Sequence, residues 1–198
     1  MVQKKKDSKK TNALTKRKPA RKIATTRDVE LKHQGADSIQ ANNVTLTQGG
    51  ANSIKAKTVT INQGGVNEVH ADELNVRQGG VARAEAGEVN ITQGGALLVQ
   101  SEKTTLNASG ALAILGTNIE VQSGGAQYML ARESLHVQQG GALVMAAPKI
   151  EIENGGAVFL IARHVSGNVR TLFDRRGAMI FGIAAGIMLG LIARTRRK

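Results

Sequence analysis

The sequence predicts an all-β protein: a single-stranded, three-sided parallel β-helix, a solenoid of about nine 15-residue coils. Three observations carry this expectation. Glycine recurs at a fixed spacing, apolar residues recur at fixed offsets from it, and the offsets follow the two-residue period of a strand. Repeats are sought before secondary structure, because a missed period misassigns the whole fold. The marker is the second glycine of a recurring pair, Gly50, Gly65, Gly80, Gly95, Gly125, Gly141 and Gly156, with Gly110 of "ASG" in the same place and Gly35 of "HQGADSI" extending the series upstream. The step is 15 residues, with one step of 16 where Gln138 or Gln139 is extra.

The apolar positions repeat with the glycines. Four residues past the marker stand Ile39, Ile54, Val69, Ala84, Val99, Ile114, Met129, Met145 and Leu160. The sixth position past it is small, as in Ala41, Ala56 and Ala71, with Ser101 and Gly116 as variants. Positions nine and eleven carry branched aliphatics, such as Val44 and Leu46 or Val59 and Ile61, with Thr104 the exception at position nine. Alternation by two is the strand period, since successive side chains point to opposite faces. Each step of three marks a corner, and three five-residue sides make the coil. Nine coils stacked about 4.8 Å apart give a rod on the order of 40 Å long. Core aliphatics must do the packing alone, because aromatics make up only 2% of the chain.

The first glycine of each pair is expected inward on the narrowest side, where a Cβ would crowd the axis. The second is expected where the backbone needs φ > 0 or a close approach, which glycine supplies without steric cost. Gln48, Gln63, Gln78, Gln93, Gln139 and Asn154 precede the pairs. In register they would form an amide ladder along the rod.

Charge divides the chain into three parts, residues 1–28, 29–174 and 175–198. Met1–Asp28 holds 11 Lys/Arg against 2 Asp/Glu, whereas Val29–Val169 holds 9 against 12. The basic stretch has few large apolar residues, so a disordered arm is expected. Lys4, Lys5, Lys6, Lys9, Lys10, Lys16, Arg17, Lys18, Arg21 and Lys22 would meet an acidic surface, either anionic lipid or nucleic-acid phosphate. The arm lacks aromatics on which bases could stack, so lipid or a partner protein is favoured over nucleic acid. No apolar run follows these charges as in a signal peptide.

At the other end, Gly177–Ala193 is 17 residues without a charge, bracketed by Arg175, Arg176, Arg194 and Arg196–Lys198. That is the short limit for a membrane-spanning helix, and the flanking arginines can snorkel to headgroups. Gly182, Gly186 and Gly190 repeat at four, a spacing that suits close helix packing. A transmembrane or membrane-associated helix is expected, the alternative being a helix that caps the last coil. Leu172 and Phe173 are expected to cover the rod's apolar end. At the N-terminal end the pattern thins to Val29 and Leu31 without a capping helix. Solenoids rely on polar caps to remain soluble monomers, so end-to-end assembly is expected.

Catalytic patterns are missing from the sequence. His33, His70, His136 and His164 fall in separated coils, and His70 and His136 read as outward substituents. Acids such as Asp72 and Glu88 could approach across neighbouring coils, but no carboxylate pair recurs. No nucleophile elbow, P-loop, zinc-helix or calcium-repeat motif occurs, and without cysteine there are no thiolate metal sites. A non-enzyme without cofactor is expected.

The short β-solenoid, the basic arm with "KRKPARK" (Lys16–Lys22) and the lack of catalytic residues together resemble the bactofilins, bacterial cytoskeletal proteins that polymerise. The "QGG" units, as in "INQGGVNEVHADELNVRQGG", also look like bacterial QGG-repeat proteins that end in a hydrophobic "RGA(L/M)-IFG" tail. The bactofilin likeness implies nucleotide-free filaments on the cytoplasmic face of the inner membrane that scaffold other proteins. Two further functions fit the residues: an extracellular adhesive or ligand-binding solenoid using a ladder face, and nucleic-acid tethering through the arm.

Overall fold

Alternating side chains and a 15-residue period dictate that each coil lies on the one before it, and the computed structural model, which describes residues 22–171, has that arrangement. Its strands are β1 (Lys22–Lys32), β2 (Gly35–Thr47), β3 (Gly50–Lys55), β4 (Thr58–Asn62), β5 (Gly65–Arg77), β6 (Gly80–Thr92), β7 (Gly95–Asn107) and β8 (Ser109–Thr171). All described pairings are parallel, in the order β1-β2-β3-β5-β6-β7-β8, with β4 beside β2 and β5. The chain is a β-solenoid of about six turns. Register follows the repeat: Ile39 faces Ile54, Ile54 faces Val69, Val69 faces Ala84, Ala84 faces Val99 and Val99 faces Ile114.

Burial matches the offsets. Ile39, Leu46, Ile54, Ile61, Leu74, Val99, Leu106 and Ile114 are wholly enclosed, and the same core continues through Met129, Leu135, Val137, Met145, Ile150 and Ile152. Each fully buried aliphatic of this size contributes about 1.5–3 kcal/mol relative to exposure, so one core runs through the described coils without a large aromatic. Ser101 and Thr104, the two departures from pattern in one coil, satisfy each other: their hydroxyls meet at 2.5 Å, and Thr104 is fully buried. No buried side-chain nitrogen or oxygen lacks a partner among the described residues.

Strand β1 starts at Lys22, so pairing reaches into the stretch assigned above to the basic arm. A register shift between Ala24 and Thr26 brings Ile23 opposite Ile39. The rest of the arm, the Leu172–Phe173 cover and the Gly177–Ala193 segment lie outside the described residues.

The glycine pair works differently from expectation. Positive φ falls not on the second glycine but on the residue before the pair: His33, Gln48, Gln63, Gln78, Gln93 and Ala108 have φ between 48° and 56°. The first glycine is needed because of the coil beneath it, not the axis. A Cβ on Gly64 would lie far inside van der Waals contact distance of the Gly49 carbonyl oxygen, whereas one on Gly65 would sit 3.9 Å from the Gly80 oxygen. The second glycines Gly125 and Gly141 do meet the neighbouring backbone closely. Further along, the corner changes: Gly124 and Gly140, both first glycines, take the positive φ themselves, at 116° and 139°.

Two outcomes follow for thermal and denaturant unfolding. Gly64→Ala should cost about 2–4 kcal/mol, the range of a forced backbone displacement, while Gly65→Ala should change stability by less than about 1 kcal/mol. Ile61→Ala, which empties a wholly enclosed site, should cost about 2–5 kcal/mol.

Candidate functional site

A solenoid exposes three kinds of surface: its corners, its sides and its ends. The corner before the glycine pair is built by hydrogen bonds in two directions. His33 and the four left-handed glutamines donate their backbone N–H to the next coil, Gln48 to the Asn62 carbonyl at 3.0 Å and Gln63 to the Arg77 carbonyl at 2.9 Å. The side-chain amides continue the pattern: Gln48 Nε2 donates to Gln63 Oε1 at 3.0 Å, Gln63 to Gln78 at 2.9 Å and Gln78 to Gln93 at 3.1 Å. A left-handed conformation costs an L-residue roughly 1–2 kcal/mol, and the two sets of hydrogen bonds offset that strain. After Gln93 the position is held by Ala108 and Ser123, which have no amide. Gln139 and Asn154 are exposed beyond that interruption.

A second ladder runs beside the first. Asn67 Nδ2 donates to Asn52 Oδ1 at 3.0 Å, and Asn52 Nδ2 donates to Asp37 Oδ1 at 2.6 Å. Charged residues on the sides pair across coils. Glu88 stands opposite Glu73, the residue after Asp72, and Lys103 Nζ in the following coil reaches Glu88 at 3.3 Å. His70 is not an isolated substituent: Nε2 lies 3.2 Å from Glu68 and Nδ1 lies 3.0 Å from Glu85, which also meets Arg83 at 2.7 Å. His136 has a looser pair, Glu151 at 3.6 Å and Glu153 at 3.7 Å. The signal for these contacts was present in the 15-residue offset between His70 and Glu85. The Lys103–Glu88 and Arg83–Glu85 contacts are surface ion pairs of small energetic weight. No cluster of three potential metal ligands occurs among the described residues.

One set of outward positions was missed altogether, those two, three and five past each marker glycine. In the first four coils they are polar or small, as with Asp37, Asn52, Glu68 and Arg83. From Gly95 onward they carry no charge and, Gln100 and Gln127 apart, are apolar: Leu97, Leu112, Tyr128, Leu130, Leu143, Phe159 and Ile161 all remain exposed, Leu97 at 59% and Ile161 at 68%. A groove of about 930 Å³ follows the marker glycines from Ala36 to Gln127, floored by Gly50, Gly65, Gly80, Gly95 and Gly110 and edged by Asn52 and Asn67 in the earlier coils and by Leu97 and Leu112 in the later ones. Large contiguous apolar patches on soluble proteins mark interaction sites. The other side stays polar in the same coils, with Lys103, Asn118, Glu120 and Glu151.

Among the predicted contact residues, only Lys22 lies in the described chain, at the start of β1. Lys4 to Arg21, and Gly182, Gly186 and Gly190, lie outside the described residues. No helix among the described residues is long and apolar enough to cross a membrane. The chain matches no protein-family model, no curated protein and no solved structure.

The left-handed corner supplies a graded test. Gln63→Val, which puts a β-branched residue at φ 56° and removes two ladder bonds, should cost about 2–3 kcal/mol. Gln63→Gly removes the same bonds but also the strain, and should cost under about 1 kcal/mol. Urea midpoints of the two variants should rank in that order.

Proposed function

We propose that this chain is a non-enzymatic structural scaffold, bactofilin-like in design, that assembles coil on coil and is anchored to a membrane by its C-terminal apolar segment. The observation that carries the reading is the repeated backbone register. Each coil presents to the next a row of N–H and C=O groups spaced for another copy of itself. In the three-sided, nine-coil rod of this proposal, the end coils keep those rows, and uncapped strand edges template further pairing. The amide and asparagine ladders favour the same axial growth, since each interior amide both donates and accepts along the rod.

Anchoring rests on the chain's own chemistry. Gly177–Ala193 holds no charge and has arginines on both flanks, which suits burial in hydrocarbon with the charges at the headgroups. The basic arm adds attraction to anionic lipid, worth about 1 kcal/mol per Lys or Arg near the surface and weakened by salt. On this reading the cytoplasmic face of the inner membrane is the site of assembly, and the sides of the rod carry other proteins.

Electron microscopy and vesicle flotation of the full chain test the two halves of the proposal. Filaments one rod wide and of variable length are expected, floating with vesicles that contain anionic lipid. A monodisperse single rod at tens of micromolar (about the range in which weak protein contacts become populated) would overturn assembly. Failure to float in low salt would overturn anchoring.

A further inference from the structure

The groove along the marker glycines has no part in the scaffold reading, and its lining selects an occupant. It is a trough of about 930 Å³ whose lining residues, from Ala36 to Gln127, carry no charge. That volume falls in the range of small-molecule sites, roughly 300–1,000 Å³. We infer that the groove binds one long hydrocarbon chain with an uncharged, hydrogen-bonding head, as in a monoacylglycerol. The tail lies over Ala82, Leu97 and Leu112, and the head meets Asn52 and Asn67.

Hydrogen-bonding capacity separates the candidate occupants. Between Asn67 and Gln127 only glycine, alanine, valine and leucine line the groove. The N–H groups of its floor are already committed: Gly80 donates to the Gly64 carbonyl at 2.9 Å, Gly95 to Gly79 at 3.0 Å and Gly110 to Gly94 at 3.2 Å. An extended peptide over this stretch would set about six residues' N–H and C=O groups against a lining with no side chain to bond them. A sugar's hydroxyls meet the same difficulty, and no aromatic ring lines the groove to lie against a sugar's apolar face. A hydrocarbon chain gives up no hydrogen bond there and gains by leaving water.

Polar groups mark the head. Asn67 Nδ2 donates to Asn52 Oδ1 at 3.0 Å, and Asn52 Nδ2 donates to Asp37 Oδ1 at 2.6 Å. The next coil places Ala82 at this position, so Asn67 Oδ1 accepts no bond along the ladder. Each amide also keeps a second N–H. Hydroxyl and ester groups complement both. An anionic head has no such place: no cation lines the groove, Asp37 ends the ladder, Glu68 follows Asn67, and Arg83 is held by Glu85 at 2.7 Å.

Geometry sets the length of the tail. From Asn67 to Gln127 is four coil steps, or about 19 Å. With carbon–carbon bonds of about 1.5 Å in zigzag, an extended chain of about fifteen carbons covers that distance. Beyond it Gln127 returns a polar group to the lining. The site depends on neither coil-on-coil assembly nor membrane anchoring, so failure of either leaves it standing.

Equilibrium dialysis of the full chain with monoacylglycerols, each below its micelle concentration, tests the inference. Monomyristoylglycerol should saturate at one per chain. Affinity should rise about twofold per methylene from about ten to fourteen carbons, as for a group half buried in an open groove, and level off beyond about sixteen. Leu97→Asn with Leu112→Asn should weaken binding at least about tenfold, whereas Leu143→Asn should change it less than about twofold. Leu143 is exposed like Leu112 but lies outside the groove, and all three side chains are exposed enough for the variants to keep the fold. A photoreactive diazirine in mid-tail should attach within Gly80–Gln127.

Absence of saturable binding overturns the inference. So does an equal loss in Leu143→Asn, which assigns uptake to general adhesion, or one ligand per two chains, which assigns the groove to an interface between copies. Displacement by an uncharged alanine–leucine peptide assigns it to peptide instead. Affinity that keeps rising through eighteen carbons overturns the four-coil tail, and myristate bound as tightly as monomyristoylglycerol overturns the uncharged head.

Discussion

The coil-to-coil distance is the constraint on which the rest depends. Backbone hydrogen bonds such as Gly80 N–H to the Gly64 carbonyl at 2.9 Å hold successive coils at strand spacing. At the glycine corner that distance leaves no room for a Cβ between one backbone and the carbonyl beneath it. The first glycine of each pair is therefore a requirement of stacking. Once it is met, the other positions lie over their equivalents in the next coil, 15 residues away in most of the rod and 16 where Gly125 meets Gly141.

Like over like suits some side chains and not others. Aliphatics stack into a continuous core, and amides, which carry both donor and acceptor, chain from Gln48 to Gln93. Carboxylates do not gain by it. Where Glu73 faces Glu88, the next coil supplies Lys103, and where Glu68 and Glu85 approach, His70 and Arg83 stand between them. The charged sides are thus arranged so that the repeat does not become a column of one sign, which would oppose stacking.

The rod is uniform inside and divided outside. Near Gly95 two changes fall close together: the glutamine ladder ends at Gln93, and the polar side becomes apolar. Further on, Gly124 and Gly140 take over the positive φ that His33 to Ala108 hold in the earlier coils. Stability in a stack of this kind is close to a sum over neighbouring coils, so the two parts can differ on the outside without disturbing the shared core. The N-terminal coils carry exposed amides and ion pairs, and the C-terminal coils carry exposed leucines such as Leu97, Leu112 and Leu143.

Much of this was legible in the residues. The period, the parallel stacking and the inward set from Ile39 to Ile114 follow from spacing alone, because side-chain alternation is a local property of an extended chain. The lining of the apolar side was legible too, as a change in the residues two, three and five past the marker. It becomes visible only when outward positions are aligned with the same care as inward ones. What the tertiary structure alone decided lies between coils: the left-handed turn on glutamine instead of glycine, the Ser101–Thr104 pair, and Lys103 reaching Glu88 where two glutamates stack. Each depends on where the neighbouring coil places its carbonyls and side chains, and a one-dimensional pattern specifies which residues are equivalent without specifying which atoms meet.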